Sequence, residues 1–396
     1  MVKNRDKMEQ KHNSQKLVVL TAGGSGGHIF PAVALAETLK ERGFKILIIT
    51  DKRGYRFEKR RDVFDLKTLK VTTPAGNLWT KIKSAVSLAG AYFKSLKLLW
   101  LIKPEVIVGF GGYPSFPPML AAQHLGLKNV IHEQNAVIGK ANLVMAKKAD
   151  KIAISLPRII GLTEAQEARV VFTGNPVRKD IQNLHSKNYE LPEQSTEFNI
   201  LILGGSQGAS IFAEVVPHAL SQLPDHEKSR LNVIQQCRED DIQKTRELYN
   251  KAGIKSDVET FFYDVHARLE KAHLVIARSG ASTVAEVTTA GRPAIFVPYP
   301  WHKDQQQKMN ADVIADKGGA WVMAQDGFTH DALMTRLLTF LQDPEILKRA
   351  AKASKECAKP EAAETLADVV ETLIVRGVEN MGQNTDPKCK KPLEVR

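Results

Sequence analysis

Arg278-Ser-Gly-Ala-Ser-Thr-Val-Ala-Glu286 follows an apolar run at 273–277, and its composition is that of a helix entered directly from a strand. Small residues at Ser279, Gly280, Ala281 and Ser282 leave the first-turn amides open. Unpaired N–H donors at the positive end of a helix attract phosphate oxygens. Glu286 stands one to two turns further in, where a carboxylate can accept from the two hydroxyls of a ribose. A second apolar run at 293–298 leads to Trp301-His-Lys-Asp-Gln-Gln-Gln307, a helix start whose carboxamides can bond sugar hydroxyls. Such a βαβα stretch can hold a nucleotide-sugar. The same residues also fit an ordinary α/β repeat with a polar helix start.

Comparable loops recur upstream. Thr21-Ala-Gly-Gly-Ser-Gly-Gly-His28 joins a strand at 16–20 to a helix at 31–42, and a strand at 44–50 completes a βαβ unit. A dinucleotide fingerprint would need glycine or alanine at the sixth position from Gly24, which is Ile29. Asp51 stands where a ribose-binding acid would, but Lys52 and Arg53 beside it fit a solvated turn equally well. Gly109-Phe-Gly-Gly-Tyr113 follows a strand at 106–108, and His132-Glu-Gln-Asn135 follows one at 129–131. Ligands of open parallel sheets bind beyond the carboxyl ends of the strands, so the three loops are expected to line one cleft.

The pattern restarts at 199–203 with Gly204-Gly-Ser-Gln-Gly208 entering a helix. The fold class predicted is α/β, with two Rossmann-like domains facing each other across a cleft. A basic arm at 1–16 and a tail at 377–396 are expected to be disordered. Between them the expectation is an N-terminal domain at 17–180, a polar linker at 181–198 and a C-terminal domain at 199–360. An amphipathic helix at 361–376 is expected to pack back on the N-terminal domain.

Composition narrows the partners. The 396 residues carry a formal net charge of +12, which favours nucleic acid, an acidic membrane face or phosphorylated substrates. No nucleic-acid-binding motif supports the first of these. Cys237, Cys357 and Cys389 lack metal-ligand spacing and point to a reducing compartment. The apolar run at 17–20 is too short for a signal-peptide core, so a cytoplasmic location is expected. Lys97, Lys103 and Pro104 interrupt the longest apolar candidate, so no bilayer span is expected. Within that candidate, Ile82, Val86, Ala89, Phe93, Leu96 and Trp100 recur at helical spacing, widened by Trp79 and Tyr92 and flanked by Lys81, Lys83, Lys94 and Lys97. That is the pattern of a membrane-surface face, and equally of a helix packed on a sheet with its lysines in water.

Gly23-Gly-Ser-Gly-Gly-His28, Gly109-Phe-Gly-Gly-Tyr113, His132-Glu-Gln-Asn135, Gly174-Asn-Pro-Val-Arg178, Gly204-Gly-Ser-Gln-Gly208, Ser279 to Glu286 and His302-Lys-Asp-Gln-Gln-Gln307 occur in order over residues 17–372. Together they closely resemble the bacterial cell-wall glycosyltransferases that complete lipid II. The resemblance implies a glycosyltransferase of the B type, without a cofactor, that moves N-acetylglucosamine from UDP-N-acetylglucosamine to the muramoyl sugar of an undecaprenyl-diphosphate-linked pentapeptide. It implies donor contacts at Ser25, Gly26, Gly27, Asn135, Arg178, Ser206, Phe262, Ala281, Ser282, Thr283, Val284, Ala285, Glu286 and Gln307. It places the acceptor at Gly111, Gly112, Tyr113 and His132, and a membrane patch at Ile82, Val86, Ala89 and Tyr92. The protein would then sit at the cytoplasmic face of the cell membrane, touching anionic lipid and other wall-synthesis proteins. Phe116 stands where many members of that family carry a small residue, a departure that bears on the shape of the acceptor groove, and Ala89 is less apolar than the bulky residue expected in the patch.

Inverting glycosyl transfer needs a base for the acceptor hydroxyl, stabilisation of departing UDP and alignment of both sugars. His28 is the first candidate base, since a histidine titrates near neutrality, and its alternative is a helix cap or loop support. His132 and Glu133 are the rivals. Amides around Ser206 and Gly280, with Arg178, would meet the diphosphate charge. No D-x-D carboxylate pair is present for a metal, and Asp240-Asp241 sits among charged residues as solvated surface.

Overall fold

A computed structural model describes residues 15–54, 62–71, 78–191, 196–205, 208–301 and 304–383, with the backbone alone at 78, 80, 81 and 376–383. Ser206, His302 and Cys389 lie outside the described residues.

The first half is a seven-stranded sheet, β1 (Leu17–Thr21), β2 (Lys45–Thr50), β3 (Asp65–Thr68), β4 (Val106–Gly109), β5 (Asn129–Glu133), β6 (Lys151–Ile154) and β7 (Val170–Phe172). Its order is β3-β2-β1-β4-β5-β6-β7 and all pairings are parallel. The second half holds β8 (Phe198–Leu203), β9 (Leu231–Gln236), β10 (Lys255–Glu259), β11 (Leu274–Ala277), β12 (Ala294–Phe296) and β13 (Ala320–Val322). Their order, β10-β9-β8-β11-β12-β13, repeats the first six strands of the first sheet and is again parallel. This is the doubly wound arrangement, twice. The chain reverses direction across the sheet between β1 and β4 in one half and between β8 and β11 in the other, and such switch points open a crevice. Strands such as Ile-Val at 107–108 and Val-Ile at 275–276 are wholly buried because helices cover both sheet faces.

The polar stretch at 181–198 is not a free linker. It begins as a helical turn, Lys179–Gln182, and Ile181 and Leu184 are buried in the second half's core. Two apolar residues three apart suffice to dock one turn, although they are too few to show as a period in the sequence. The final helix spans Ala362–Gln383, so residues 377–383, expected to belong to a disordered tail, continue it. Its Leu366, Ala367, Val370 and Ile374 join the first half's core beside helix Gly26–Glu41. Arg42 donates to Asp368 at 2.6 Å and to the Glu364 carbonyl at 3.2 Å.

Helix Leu78–Ile102 corrects the reading of its apolar run. Its segment Ile82–Ile102 has mean hydropathy 1.3 and is long and apolar enough, by length and composition, to cross a membrane. Its connections place it at the protein surface instead, since β3 and β4 on either side belong to one sheet. Ser84, Ala91, Ser95 and Leu99 face the protein, whereas Trp79, Val86 and Phe93 are 72%, 68% and 64% exposed. Trp79, Ile82, Val86, Phe93 and Trp100 therefore face outward, whereas Leu96 of the same stripe packs on the core with Leu98 and Ile102. Tyr92 is the exception in the expected patch: it is half-buried, its hydroxyl 2.7 Å from His124 Nδ1.

Because Leu366 is wholly buried at the seam between the last helix and the first half, beside Ala367 and Val370, Leu366→Ala should lower stability by about 2–5 kcal/mol. Denaturant unfolding measures this, and a loss below about 1 kcal/mol would mean that the helix does not hold the seam.

Candidate active site

Both switch points face a cleft of about 790 Å³ between the halves. On the first side, helix Gly26–Glu41 begins at the cleft, and Gly26, Gly27 and Phe30 line it. Its glycine loop packs directly on the loop after β4: the Gly23 amide donates to the Gly111 carbonyl at 3.0 Å. Gly112 has φ +78°, and a Cβ there would stand 3.2 Å from Gly23 Cα and 3.1 Å from the His28 ring. Glycine is required by conformation and by space. The two loops together seat His28, with Gly111 and Gly112 against its Cε1–Nε2–Cδ2 edge.

On the second side, helix Ala281–Thr289 starts after Gly280, and no side chain caps it. Ala281, Ser282, Thr283 and Glu286 line the cleft, as helical spacing requires of that face. Val284 and Ala285, also expected at the donor, turn the other way; Val284 is buried in the core and Ala285 packs against it. Ser282 Oγ reaches the Gly27 carbonyl at 3.4 Å, closing the two helix starts on each other.

Arg178 and Glu286 meet in the cleft. Arg178 Nη2 donates to Glu286 Oε1 at 3.2 Å, and the guanidinium lies 5.1 Å over the Phe30 ring. Arg178 Nε is buried without a hydrogen-bond partner. Burial raises the Glu286 carboxyl pKa, opposed by Arg178. Phe262 lines the floor beneath Arg268, whose guanidinium is 4.0 Å from its ring. Gln307 is also at the cleft, but its Oε1 accepts from the Tyr299 amide at 2.9 Å, which leaves the NH2 to a ligand.

Four expected residues do other work. Glu133 is buried, and its carboxylate accepts from the Asn135 and Gly139 amides at 3.0 and 2.9 Å and from Asn142 Nδ2 at 2.9 Å. Saturated by loop donors, it braces the 134–142 turn and is no base. Asn135 donates to Glu133 and accepts from Asn310 Nδ2 at 3.1 Å, so it clasps the halves together outside the cleft lining. His132, the other rival base, is fully buried; its Nε2 lies 3.0 Å from the Gly174 carbonyl and its Nδ1 2.9 Å from Gln134 Nε2. Asp51 is buried rather than solvated and accepts from Arg53 at 2.9 and 2.7 Å. Its carboxylate lies so close that a Cβ on Gly24 would stand 2.3 Å from Oδ1, and it has no part in the cleft lining.

Sequence reasoning missed several cleft residues. Arg278 donates to the Val297 and Pro298 carbonyls at 2.9 and 3.0 Å and also to Gln325, with no carboxylate among these partners. Arg238 lines the same wall with its stem against Gly208, and Phe261, Tyr299 and Trp301 stand at the rim. Three guanidinium groups therefore face one carboxylate, an excess of positive charge in a partly desolvated cleft. The one available signal was the arginine directly after β11, a strand-end position in an open sheet. Among the described residues no group of three His, Cys, Asp or Glu side chains is placed to hold a metal ion.

The fold and this cleft define a two-domain glycosyltransferase architecture. The family 28 glycosyltransferase N-terminal domain matches residues 18–154 and its C-terminal domain matches 199–366. A Rhodospirillum centenum protein, UDP-N-acetylglucosamine–N-acetylmuramyl-(pentapeptide) pyrophosphoryl-undecaprenol N-acetylglucosamine transferase, is 44% identical over 89% of this chain and 93% of its own. The crystal structure of Acinetobacter baumannii MurG superposes with a TM-score of 0.71 at 30% identity, covering 90% of this chain and 99% of that one. A crystal structure of a UDP-N-acetylglucosamine 2-epimerase, at 14% identity and TM-score 0.64 over 92% of this chain and 98% of that one, shares the fold alone. The chain belongs to the MurG family of family 28 glycosyltransferases.

Burial keeps the His132 ring neutral, lowering its pKa from 6.5 to about 4. Below pH 6.5 the unfolded chain takes up a proton that the folded chain refuses, so stability present above that pH is lost as pH falls toward 4. The loss from this residue should reach about 3 kcal/mol. His132→Gln should show a correspondingly flatter profile in denaturant titrations between those pH values; parallel profiles would mean that His132 is not held neutral.

Proposed function

We propose that this protein transfers N-acetylglucosamine from UDP-N-acetylglucosamine to the C4 hydroxyl of the muramoyl sugar on an undecaprenyl-diphosphate-linked pentapeptide, with inversion at the anomeric carbon. The observation that carries the reading is the concentration of positive charge on one cleft wall, with a histidine in the first turn of the helix that begins opposite. An uncapped helix start and three arginines form one wall, and His28 stands behind the opposite helix start. The diphosphate fits the amides of 281–283 with Arg178, Arg238 and Arg278 around it. Glu286 accepts from the ribose hydroxyls while one oxygen stays on Arg178. His28 Nε2 takes the acceptor hydroxyl proton as that oxygen attacks C1; the bond from C1 to the diphosphate breaks, and UDP leaves with the electron pair. The arginines and free amides stabilise that leaving charge in a partly desolvated cleft.

The acceptor enters beside Gly111, Gly112 and Tyr113. Its lipid moiety calls for the protein to lie on the cytoplasmic face of the cell membrane, seated on the exposed Trp79, Ile82, Val86 and Phe93 face with its lysines toward anionic headgroups. In this reading the product feeds peptidoglycan synthesis, and through it cell shape and division, beside other wall-synthesis proteins.

Radiolabelled transfer from UDP-N-acetylglucosamine to a lipid I analogue tests the activity. His28→Ala should lower turnover by about 100- to 10,000-fold with UDP affinity nearly unchanged. Release of an epimerised sugar nucleotide without any lipid acceptor would replace transfer by epimerisation.

Lysines near an anionic surface contribute on the order of 1 kcal/mol each, while the apolar contact is little screened by salt. Substituting Lys81, Lys83, Lys94 and Lys97 together with Gln should therefore weaken binding to anionic vesicles and leave UDP binding intact. Equal vesicle binding by both proteins at low salt would count against a membrane role for this face.

A further inference from the structure

The hydrogen-bond chain behind His28 admits one arrangement of protons, because two backbone carbonyls anchor it. His132 Nε2 lies 3.0 Å from the Gly174 carbonyl. A carbonyl only accepts, so Nε2 carries the hydrogen. The ring is neutral, and its Nδ1 is therefore bare. The second anchor is the His132 carbonyl, 2.9 Å from Gln134 Nε2, which orients the Gln134 carboxamide without ambiguity. Its NH2 also donates to the bare His132 Nδ1 at 2.9 Å. The oxygen of the same carboxamide then faces His28 Nδ1 at 3.0 Å, and since it too only accepts, Nδ1 must be the protonated nitrogen.

We propose that Gln134, held by His132 and the Gly174 carbonyl, is a positioning residue that keeps His28 in its Nδ1–H tautomer with Nε2 bare beside Gly111 and Gly112. The inference rests on the reading of His28 as the base. A free neutral imidazole favours hydrogen on Nε2, the form that cannot receive the acceptor hydroxyl proton at that nitrogen. The network therefore holds the less common tautomer. In the transfer step the proton passes from the acceptor oxygen to His28 Nε2, the ring becomes imidazolium and Nδ1–H stays on Gln134. The proton later leaves to solvent.

The choice of glutamine follows from its having two different ends. One end must accept from His28 and the other must donate to His132. A carboxylate could do only the first, would set a lone pair against the bare His132 Nδ1, and would stabilise the imidazolium. A neutral carboxamide satisfies both rings. Gln134 is itself almost wholly buried, so water does not compete for these bonds.

Gln134→Met keeps the length and apolar volume of the side chain and removes both hydrogen bonds. Long-range nitrogen–proton spectra of the full chain labelled at histidine report the tautomer directly. Wild type should show His28 with hydrogen on Nδ1, and Gln134→Met should move it to Nε2. Turnover should fall roughly 10- to 1,000-fold, short of or within the full worth of a general base, with KM for UDP-N-acetylglucosamine within about twofold. Hydrogen on His28 Nε2 in wild type, or an unmoved tautomer in Gln134→Met, overturns the proposal. A tautomer that moves while turnover stays at the wild-type level upholds the positioning role and removes His28 as the base. Should Gln134→Met fail to fold, the wild-type spectrum decides alone.

Discussion

The site depends on the place where the chain crosses between its two halves. Gly174 has φ +83°, and a Cβ there would stand 2.4 Å from Lys359 Cβ and 3.1 Å from Ala362 Cβ. The outgoing strand and the returning segment before the last helix thus touch without an intervening side chain. Because the two crossings are packed this closely, the Gly174 carbonyl is held toward β5, where His132 donates to it. From there the bonds run through Gln134 to His28. A backbone constraint at the seam is in this way transmitted to the first turn of helix Gly26–Glu41, which begins at the cleft.

The same seam is fastened by polar groups that do no chemistry. Asn310 is wholly buried; its oxygen accepts from the Ala136 amide at 2.8 Å, and its NH2 donates to Asn135 and to the Ser279 carbonyl, each at 3.1 Å. One side chain ties the β5 loop of the first half to the β11 loop of the second. Buried amides with every bond made specify one arrangement, because any other would leave them unpaired. The cleft wall shows the opposite condition. Arg178 Nε is buried and unpartnered, the first-turn amides after Gly280 lack a cap, and Arg278 is bonded to carbonyls and a carboxamide only. Burial lowers the Arg278 pKa, the expected cost of removing a cation from water. Unpartnered donors and guanidinium charge without a carboxylate on Arg278 are a standing attraction for an anion, and the fold bears that cost where a diphosphate would remove it.

The surface helix Leu78–Ile102 shows how packing divides one apolar pattern into two uses. Its protein-facing side has small residues toward the start, Ser84, Ala91 and Ser95, and larger ones toward the end, Leu96, Leu98, Leu99 and Ile102, which pack on the core beside helix Phe116–His124. Trp79, Ile82, Val86, Phe93 and Trp100 remain on the outer side, where an exposed apolar face invites a partner of low polarity.

What the chain determined through its sequence alone is the set of local events. Glycine loops at Gly23, Gly111, Gly204 and Gly280 mark strand ends because such turns need open conformations or close backbone approach. Short apolar runs mark buried parallel strands, and the repeated order of loop and helix marks two matching halves. These depend on neighbours a few residues apart, so they are legible without coordinates. Tertiary structure alone decided the partnerships across long separations. Glu286 meets Arg178 over 108 positions, and His28 meets Gln134 over 106. It also decided that Glu133 braces a loop, that Val284 turns inward and that Trp79, Ile82, Val86 and Phe93 of helix Leu78–Ile102 turn outward. A residue type states which bonds a side chain can make; which it does make depends on what the packing of two sheets brings within about 3 Å of it, and periodicity along one strand or helix carries no record of that.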